Sequence, residues 1–424
     1  MVNYPEVSDG SGFGVIKPEA TQALFDQISA GTALINFIGH GNSTQWAQEK
    51  LLIINETRND IQSMHTEMKL PIWIAGTCNW GQFDQIGSES FAEELIRTSM
   101  DAASAIITTT RGITVSSNIY YLEKIFNAFF PNRGITDTNL GIALQSVKTG
   151  GSDGELFHLF GDPAMKLPIP SQIIDDSKVI PDTLATLDVG TLNGPSPFDS
   201  GQGFLIFEDG PSQITKSFNF LSSKEEISYL RIGPTLFRGA FTFEGASLSP
   251  QFRVPKDITY SDNPAKVRFS ITSNTAEEAV GAVGKIQLTL GSPSNDTDGP
   301  IITFETESGR ILRSGDHLSA EKKLIIRLSD PLGINLTAEK GHELLFINPE
   351  TDEKLIVTER FIYDVNSLNT GTIEYNIPSE DDQLSLVVSA WDNANNPAEA
   401  QIDLILLKSE KLDLLHVFNF PNPF

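Results

Sequence analysis

From Pro18 to about residue 170 the chain alternates stretches whose apolar residues recur at helical spacing with short, unbroken apolar runs. Pro18 to Ser29 begins on a proline and is followed by Gly31, which predicts a helix with a clear start and stop. The run Ala33-Leu34-Ile35-Asn36-Phe37-Ile38 then reads as a buried strand. From about Gln48 to Met68 the sequence is polar and compatible with a helix. Pro71 introduces a second strand, Ile72-Trp73-Ile74-Ala75, which ends at Gly76. Ser90 to Met100 predicts a helix, Ala103 to Thr108 a third strand, and Asn118 to Phe130 and Leu140 to Val147 two further helices. Unbroken apolar strands alternating with helices imply an α/β domain whose parallel sheet is covered on both faces.

The pattern changes at Leu167-Pro168-Ile169-Pro170. Beyond it come short β-rich runs separated by turn clusters: Gly203 to Phe207, Ala240 to Phe243, Val267 to Ile271, Lys285 to Leu290, Lys323 to Leu328, Glu343 to Ile347 and Leu384 to Ala390. Residues 291–300 are loop by composition. They divide the region into two all-β parts, 171–295 and 296–408, each of about the ~100 residues of an immunoglobulin-like sandwich.

Length and composition narrow the function classes. The 424 residues suffice for several domains, and 39% hydrophobic against 20% charged residues is a foldable composition. The 30 basic and 55 acidic residues leave a formal charge of −25, which excludes a nucleic-acid binder that works by neutralising phosphates. The acid excess is spread along the chain, with no acidic tail or basic patch. No run reaches the ~18 apolar residues of a membrane helix, and the first residues lack the basic and apolar regions of a secretion signal. Both ends read as cuts.

Cys78 is the only cysteine, so no disulfide forms within the chain and no thiolate cluster can hold zinc. Of the six histidines, the five other than His40 (His65, His158, His317, His342 and His416) have no metal-ligand spacing among themselves, and no metal or cofactor is expected. Gly10-Ser11-Gly12-Phe13-Gly14 lacks both the preceding strand and the following Lys-Ser/Thr of a phosphate loop.

His40, in Gly39-His40-Gly41-Asn42, directly follows the first strand, and Cys78, in Gly76-Thr77-Cys78-Asn79-Trp80, directly follows the second. Reactive groups of open parallel sheets collect at the carboxyl ends of the strands. A thiol is mostly protonated near neutral pH and needs a base to act as a nucleophile, which an imidazole supplies. The backbone N–H groups of Gly41 and Cys78 suit an oxyanion hole. Asp84, Glu49 and Glu89 are carboxylates that could orient the imidazole, Asp84 foremost, and Trp46 and Trp80 could line a cleft. Each also has a plain structural reading. A lone cysteine after an apolar strand is usually a small buried hydrophobe, the acids suit helix caps or solvated surface, and the tryptophans suit packing.

Ala33 to Gly41 and Ile74 to Cys78 resemble the paired hydrophobic-block–His-Gly and hydrophobic-block–Cys motifs of the caspase-fold cysteine peptidases of the gingipain family. Several stretches further resemble the sortase branch of that family, which serves the type IX (Por) secretion system of Bacteroidetes. They are Trp46-Ala47-Gln48-Glu49, Thr77-Cys78 with Phe83-Asp84, Thr108 to Arg111, and Phe160-Gly161-Asp162-Pro163-Ala164. Leu236 to Gly239, Phe252 to Tyr260, Asp298 to Ile301 and Ala390 to Asn396 are similar to the β domains that follow the catalytic domain in that branch. Phe420 to Phe424 is similar to the opening of a C-terminal domain, which makes 409–424 a linker and domain start.

The resemblance implies that residues 1–170 are the C-terminal portion of a peptidase domain whose first strands are missing. It implies Cys78 as nucleophile, His40 as general base and acid, and the Gly41 and Cys78 amides at the oxyanion. As function it implies cleavage of C-terminal sorting domains from exported cargo at the surface of a Gram-negative, Bacteroidetes-like cell, beside outer-membrane type IX components. Passage of the acyl group to an amine on anionic lipopolysaccharide is part of the same expectation. Two other readings stand beside it: a secreted gingipain-like hydrolase that is itself type IX cargo, and a surface adhesion protein without catalysis.

Overall fold

The computed structural model describes residues 4–407, except 11–13, 65, 67, 99–101, 132–137, 149–150, 171, 221–222, 260–262, 320–321 and 378–381. His65, His416, the centre of the Gly10 to Gly14 loop and the segment 409–424 lie outside the described residues. The chain divides into two compact units, Met1–Ser171 and Gln172–Phe424.

The first unit opens with a short antiparallel pair, β1 (Val7–Ser8) and β2 (Val15–Ile16). There follow α1 (Pro18–Ala30), β3 (Leu34–Ile38), a meander of β4 (Gly41–Asn42), β5 (Gln45–Trp46) and β6 (Leu52–Ile53), and then β7 (Ile72–Gly76). The unit closes with α2 (Phe91–Arg97), β8 (Ala105–Thr109), α3 (Val115–Phe129), α4 (Leu140–Lys148) and β9 (Phe157–Phe160). Its main sheet runs β3-β7-β8-β9. The first three strands are parallel and β9 is antiparallel to β8, so the expected parallel sheet carries one reversed edge.

Alternation along the buried strands builds a core on each face. Trp73, Ala75 and Ile106 pack with Ala20 and Ile28 of α1 and Phe91 and Leu95 of α2. Ile72, Ile74, Ala105 and Ile107 pack with Leu122, Ile125 and Phe129 of α3 and Leu140 and Val147 of α4. Each fully buried Leu, Ile, Val or Phe among them stabilises the fold by about 1.5–3 kcal/mol. β7 and β8 are buried at every position, which is why their sequences are continuously apolar.

The helix expected from about Gln48 to Met68 is absent among the described residues; the segment holds β6 and a series of turns. Local side chains compete for its backbone. Asn55 Oδ1 accepts from Thr57 N and Arg58 N, Asn59 Oδ1 from Ile61 N, and Asp60 Oδ2 from Ile53 N. Ala47, Lys50 and Met68 also take positive φ, which a helix cannot accommodate.

The second unit is built from strands. Its largest sheet has ten described strands, in the order Gln172–Ile174, Glu278–Thr289, Ala265–Ser273, Ser200–Glu208, Thr235–Glu244, Ile362–Tyr363, Thr370–Asn376, Lys323–Ser329 and Ile301–Thr306, with Thr183–Ala185 beside Glu278–Thr289. Three smaller sheets accompany it among the described residues, two from the first of the β regions read from the sequence and one from the second. Those regions do not close into separate cores. The bridge Gly239↔Tyr363 joins their strands, and Phe237 stacks on Tyr363 at 4.5 Å between centroids. Buried residues from Ile174 to Leu406 form one apolar cluster.

Candidate active site

β3 and β7 run parallel, and their ladder ends with Ile38 opposite Gly76. Gly39 N–H donates to Gly76 O at 3.2 Å, so the strands stay in step for one more residue. Two residues past the last pair stand His40 on one strand and Cys78 on the other. Neighbouring strands lie about 4.8 Å apart and paired residues share a face. The register therefore delivers imidazole and thiol to the same carboxyl edge of the sheet.

His40 is exposed and Cys78 is half-buried. Among the described residues no hydrogen bond joins them. Cys78 Sγ rests instead against the backbone of Ile113: it accepts from Ile113 N–H at 3.5 Å and stands 3.6 Å from Ile113 O. Ile113 precedes Thr114, the N-cap of α3, whose hydroxyl oxygen accepts from Ser117 N at 3.2 Å.

The loop carrying the thiol is fastened to the end of β8. Asn79 N donates to Arg111 O at 3.3 Å, Gly81 N to Thr109 O at 3.0 Å, and the Thr109 hydroxyl to Thr77 O. The turn beyond the cysteine puts Asn79 at φ 57°, a left-handed conformation that asparagine tolerates better than most residues.

The loop carrying the imidazole is a hairpin. Ala47 N donates to His40 O at 2.9 Å, and Gly41 faces Trp46 in the pair next to it. Hydrogen-bonded and non-bonded pairs alternate in an antiparallel ladder, so Gly41 occupies a non-bonded position and its N–H points away from β5. The glycine is required by a close approach: a Cβ there would lie 2.4 Å from Thr77 Oγ1. Gly41 and the residue before Cys78 are thus in contact. Phe91 N, at the start of α2, donates to Ser43 O at 2.7 Å and holds the hairpin tip.

Residues 3–168 match the model of peptidase family C25, the gingipain family. The N-terminal unit is gingipain-like, matching the C25 cysteine peptidase family along nearly its whole length. Among solved structures the chain is similar to dimeric latent PorU from Porphyromonas gingivalis, at 20% identity and a TM-score of 0.34, over 73% of this chain and 32% of that one. It is also similar to a structure titled only as a protease, at 13% identity and a TM-score of 0.29, over 61% of this chain and 56% of that one. The chain thus spans about a third of the PorU chain. No curated protein matches.

Within the C25 unit the other residues singled out from the sequence fall in different places. Asp84 pairs with Arg111, and both side chains are close to half exposed. The guanidinium hydrogen-bonded to Asp84 holds its carboxyl below the usual value. Asp84 is committed to Arg111 rather than to the imidazole. Glu89 pairs with Arg97 at 2.6 Å. Glu49 is half-buried and has no hydrogen bond or ion pair among the described residues.

Trp46 and Trp80 line no cleft. They are 3% and 0% exposed and join Phe37, Trp73 and Phe91 in one aromatic cluster, with Trp80 stacked on Phe91 at 5.0 Å. Both positions follow the reactive residues in sequence, but their rings turn inward to fill the α1/α2 core.

The sequence reading missed the contact of Cys78 with Ile113 at the β8–α3 connection, and the bond from Asn79 N to Arg111 O beside it. The visible signal was positional: Arg111-Gly112-Ile113 follows a third buried strand, at the same carboxyl edge as His40 and Cys78. It also missed a group of carboxylates in the second unit, Asp296, Asp330 and Asp392, whose oxygens lie within 4.8 Å of one another. These residues are far apart in the chain, and each reads locally as a turn.

Proposed function

We propose that this protein is a sortase-type cysteine endopeptidase that removes C-terminal sorting domains from type IX cargo, with His40 and Cys78 as its catalytic pair. The observation that carries the reading is the register of β3 and β7, which sets both residues two positions past a paired Ile38 and Gly76 within a C25 unit.

In the proposed cycle His40 takes the proton of Cys78 and the thiolate attacks the scissile carbonyl carbon. The tetrahedral oxyanion receives the N–H groups of Gly41 and Cys78, and the vacancy of the Gly41 N–H in the hairpin ladder supports that role. Collapse breaks the C–N bond, His40 returns the proton to the departing amine, and cargo remains as a thioester on Sγ. Water, or an amine on anionic lipopolysaccharide, then adds to the thioester with His40 as base, and the thiolate leaves. Which acceptor wins depends on how well the site excludes water while it holds the amine. The place of work would be the cell surface, beside outer-membrane type IX components, with the immunoglobulin-like β regions positioning the catalytic unit by analogy with the sortase branch.

The test is the intact mass of a secreted cargo protein from cells producing this protein unaltered or as Cys78→Ala. The proposal expects normal cargo to lose its C-terminal domain and gain mass beyond the cut, and mutant cargo to keep the domain. Trimmed cargo without added mass would make the enzyme a hydrolase. Identical cargo in the two strains would contradict the catalytic reading and favour surface adhesion.

A further inference from the structure

We infer that the second unit contains a divalent-cation site, best suited to calcium, formed by Asp296, Asp330 and Asp392. Asp296 lies in the strandless segment between Glu278–Thr289 and Ile301–Thr306, Asp330 directly follows Lys323–Ser329, and Asp392 directly follows Gln383–Trp391. One carboxylate oxygen from each falls within 4.8 Å of the others. Asp330 is 5% exposed and Asp392 is 0% exposed, so the group is not a solvated acidic surface.

Two further observations point to a missing positive partner. None of the three forms an ion pair with Lys, Arg or His among the described residues, although buried carboxylates are ordinarily paired or bound to a metal. Among the described residues Asp296 Oδ2, in the group itself, is sealed from solvent without a donor, and so is Oδ1 of Asn393, a residue 1% exposed and next in chain to Asp392. The hydrogen bonds the carboxylates do receive come from neutral groups: Asp298 N to Asp296 Oδ1 at 3.3 Å, Leu332 N to Asp330 Oδ1 at 2.6 Å, and Asn396 N and Nδ2 to Asp392 Oδ1 and Oδ2 at 2.6 and 2.8 Å; they fix direction without balancing charge.

The donor set selects the ion. All the groups are oxygens and none is imidazole or thiolate, which disfavours zinc and copper. Calcium accepts six to eight oxygens in irregular geometry and completes its shell with backbone carbonyls and water, whereas magnesium demands a near-ideal octahedron. A bound calcium would tie the 291–300 segment to the ends of two strands, and so fasten the connection between the two β regions.

Thermal unfolding and calorimetric titration of the protein with calcium chloride test this, with magnesium chloride as the control and Asp296→Asn and Asp330→Asn as variants. The inference expects saturable calcium binding in the range of extracellular modules, about 0.1–1 mM. It expects the second unit's midpoint to rise by about 3–6 °C at tenfold excess, with a much smaller effect of magnesium. In chelator each variant should be at least as stable as the unaltered protein, because it removes an uncompensated buried charge; in calcium the order should reverse. That reversal separates a cation site from a loss of folding. No calcium-dependent shift at ~10 mM, an equal shift in the variants, or variants destabilised alike with and without calcium would overturn the inference.

Discussion

Gly41 and Thr77 touch so closely that a methyl group on the glycine would stand 2.4 Å from the threonine hydroxyl. One belongs to the hairpin that carries His40 and the other to the strand end that carries Cys78. The contact holds the two halves of the proposed site together. Thr77 Oγ1 is buried there without a hydrogen-bond partner among the described residues.

Gly41→Ala keeps the backbone N–H but shifts it off the oxyanion, and is expected to cut kcat by about 100-fold or more, the effect of losing one donor, while KM changes little. Steady-state kinetics on a cargo-derived peptide measure it. The double variant Gly41→Ala/Thr77→Ala, which removes the hydroxyl in the way, should recover part of the loss. No recovery would mean that the contact with Thr77 is not what displaces the loop.

Thr77→Val replaces an unpartnered buried hydroxyl with a methyl of similar size. The expected outcome is a gain of about 1 kcal/mol, because desolvation of a group without a partner is no longer incurred. Chemical denaturation with the slope checked for constancy is the measurement. A clear loss of stability would show that the hydroxyl has a partner in solution.

The folding pattern of the first unit was legible because its strands are buried on both faces and its helices are amphipathic. Pro18–Ala30, Ile72–Gly76 and Leu140–Lys148 begin and end within a residue or two of where the apolar pattern placed them. The 48–68 segment was not legible, because its polar residues fit a helix by composition while Asn55, Asn59 and Asp60 spend their side chains on turns. β9 was not read at all: Phe157-His158-Leu159-Phe160 is a short run with a histidine in it, and nothing there encodes strand direction either. Of the site, the positions of His40 and Cys78 at strand ends were readable. The inward turn of Trp46 and Trp80 was not, since a tryptophan after a reactive residue suits a cleft and a core equally.

Trp80→Ala should therefore act on stability. A fully buried tryptophan stacked on Phe91 costs about 3–5 kcal/mol to truncate, and the variant should unfold at markedly lower temperature. If it folds normally and only KM rises, the ring contacts substrate and the core assignment is wrong.

Asp84→Asn tests the carboxylate that the sequence put foremost as a partner of the imidazole. Its ion pair with Arg111 is half exposed and lies open to salt screening, so the variant should alter stability little. The pH dependence of kcat/KM should stay in place. A displaced acid limb would reinstate Asp84 as the group that orients His40.

His158, on β9, supplies a pH dependence of stability. Burial, and then the charges of Lys148 and Arg111, lower its pKa from the ordinary 6.5. The unfolded chain thus binds more protons than the folded one between the lowered value and 6.5, and stability falls as the pH drops through that window. Unfolding midpoints measured across mildly acidic pH should decline, and His158→Gln should flatten the decline. An unchanged slope in the variant would place the titrating group elsewhere.

The central claim is that the β3/β7 register makes His40 and Cys78 act on one peptide bond. Its most direct test is the intact mass of the protein after rapid acid quenching of a reaction with a cargo-derived peptide. The account predicts an added mass equal to the peptide's acyl portion, localised to Cys78, lost on treatment with hydroxylamine, absent from Cys78→Ala and strongly reduced in His40→Ala. Cleavage of the peptide at an unaltered rate by Cys78→Ala, or an acyl group on any other residue, would contradict it.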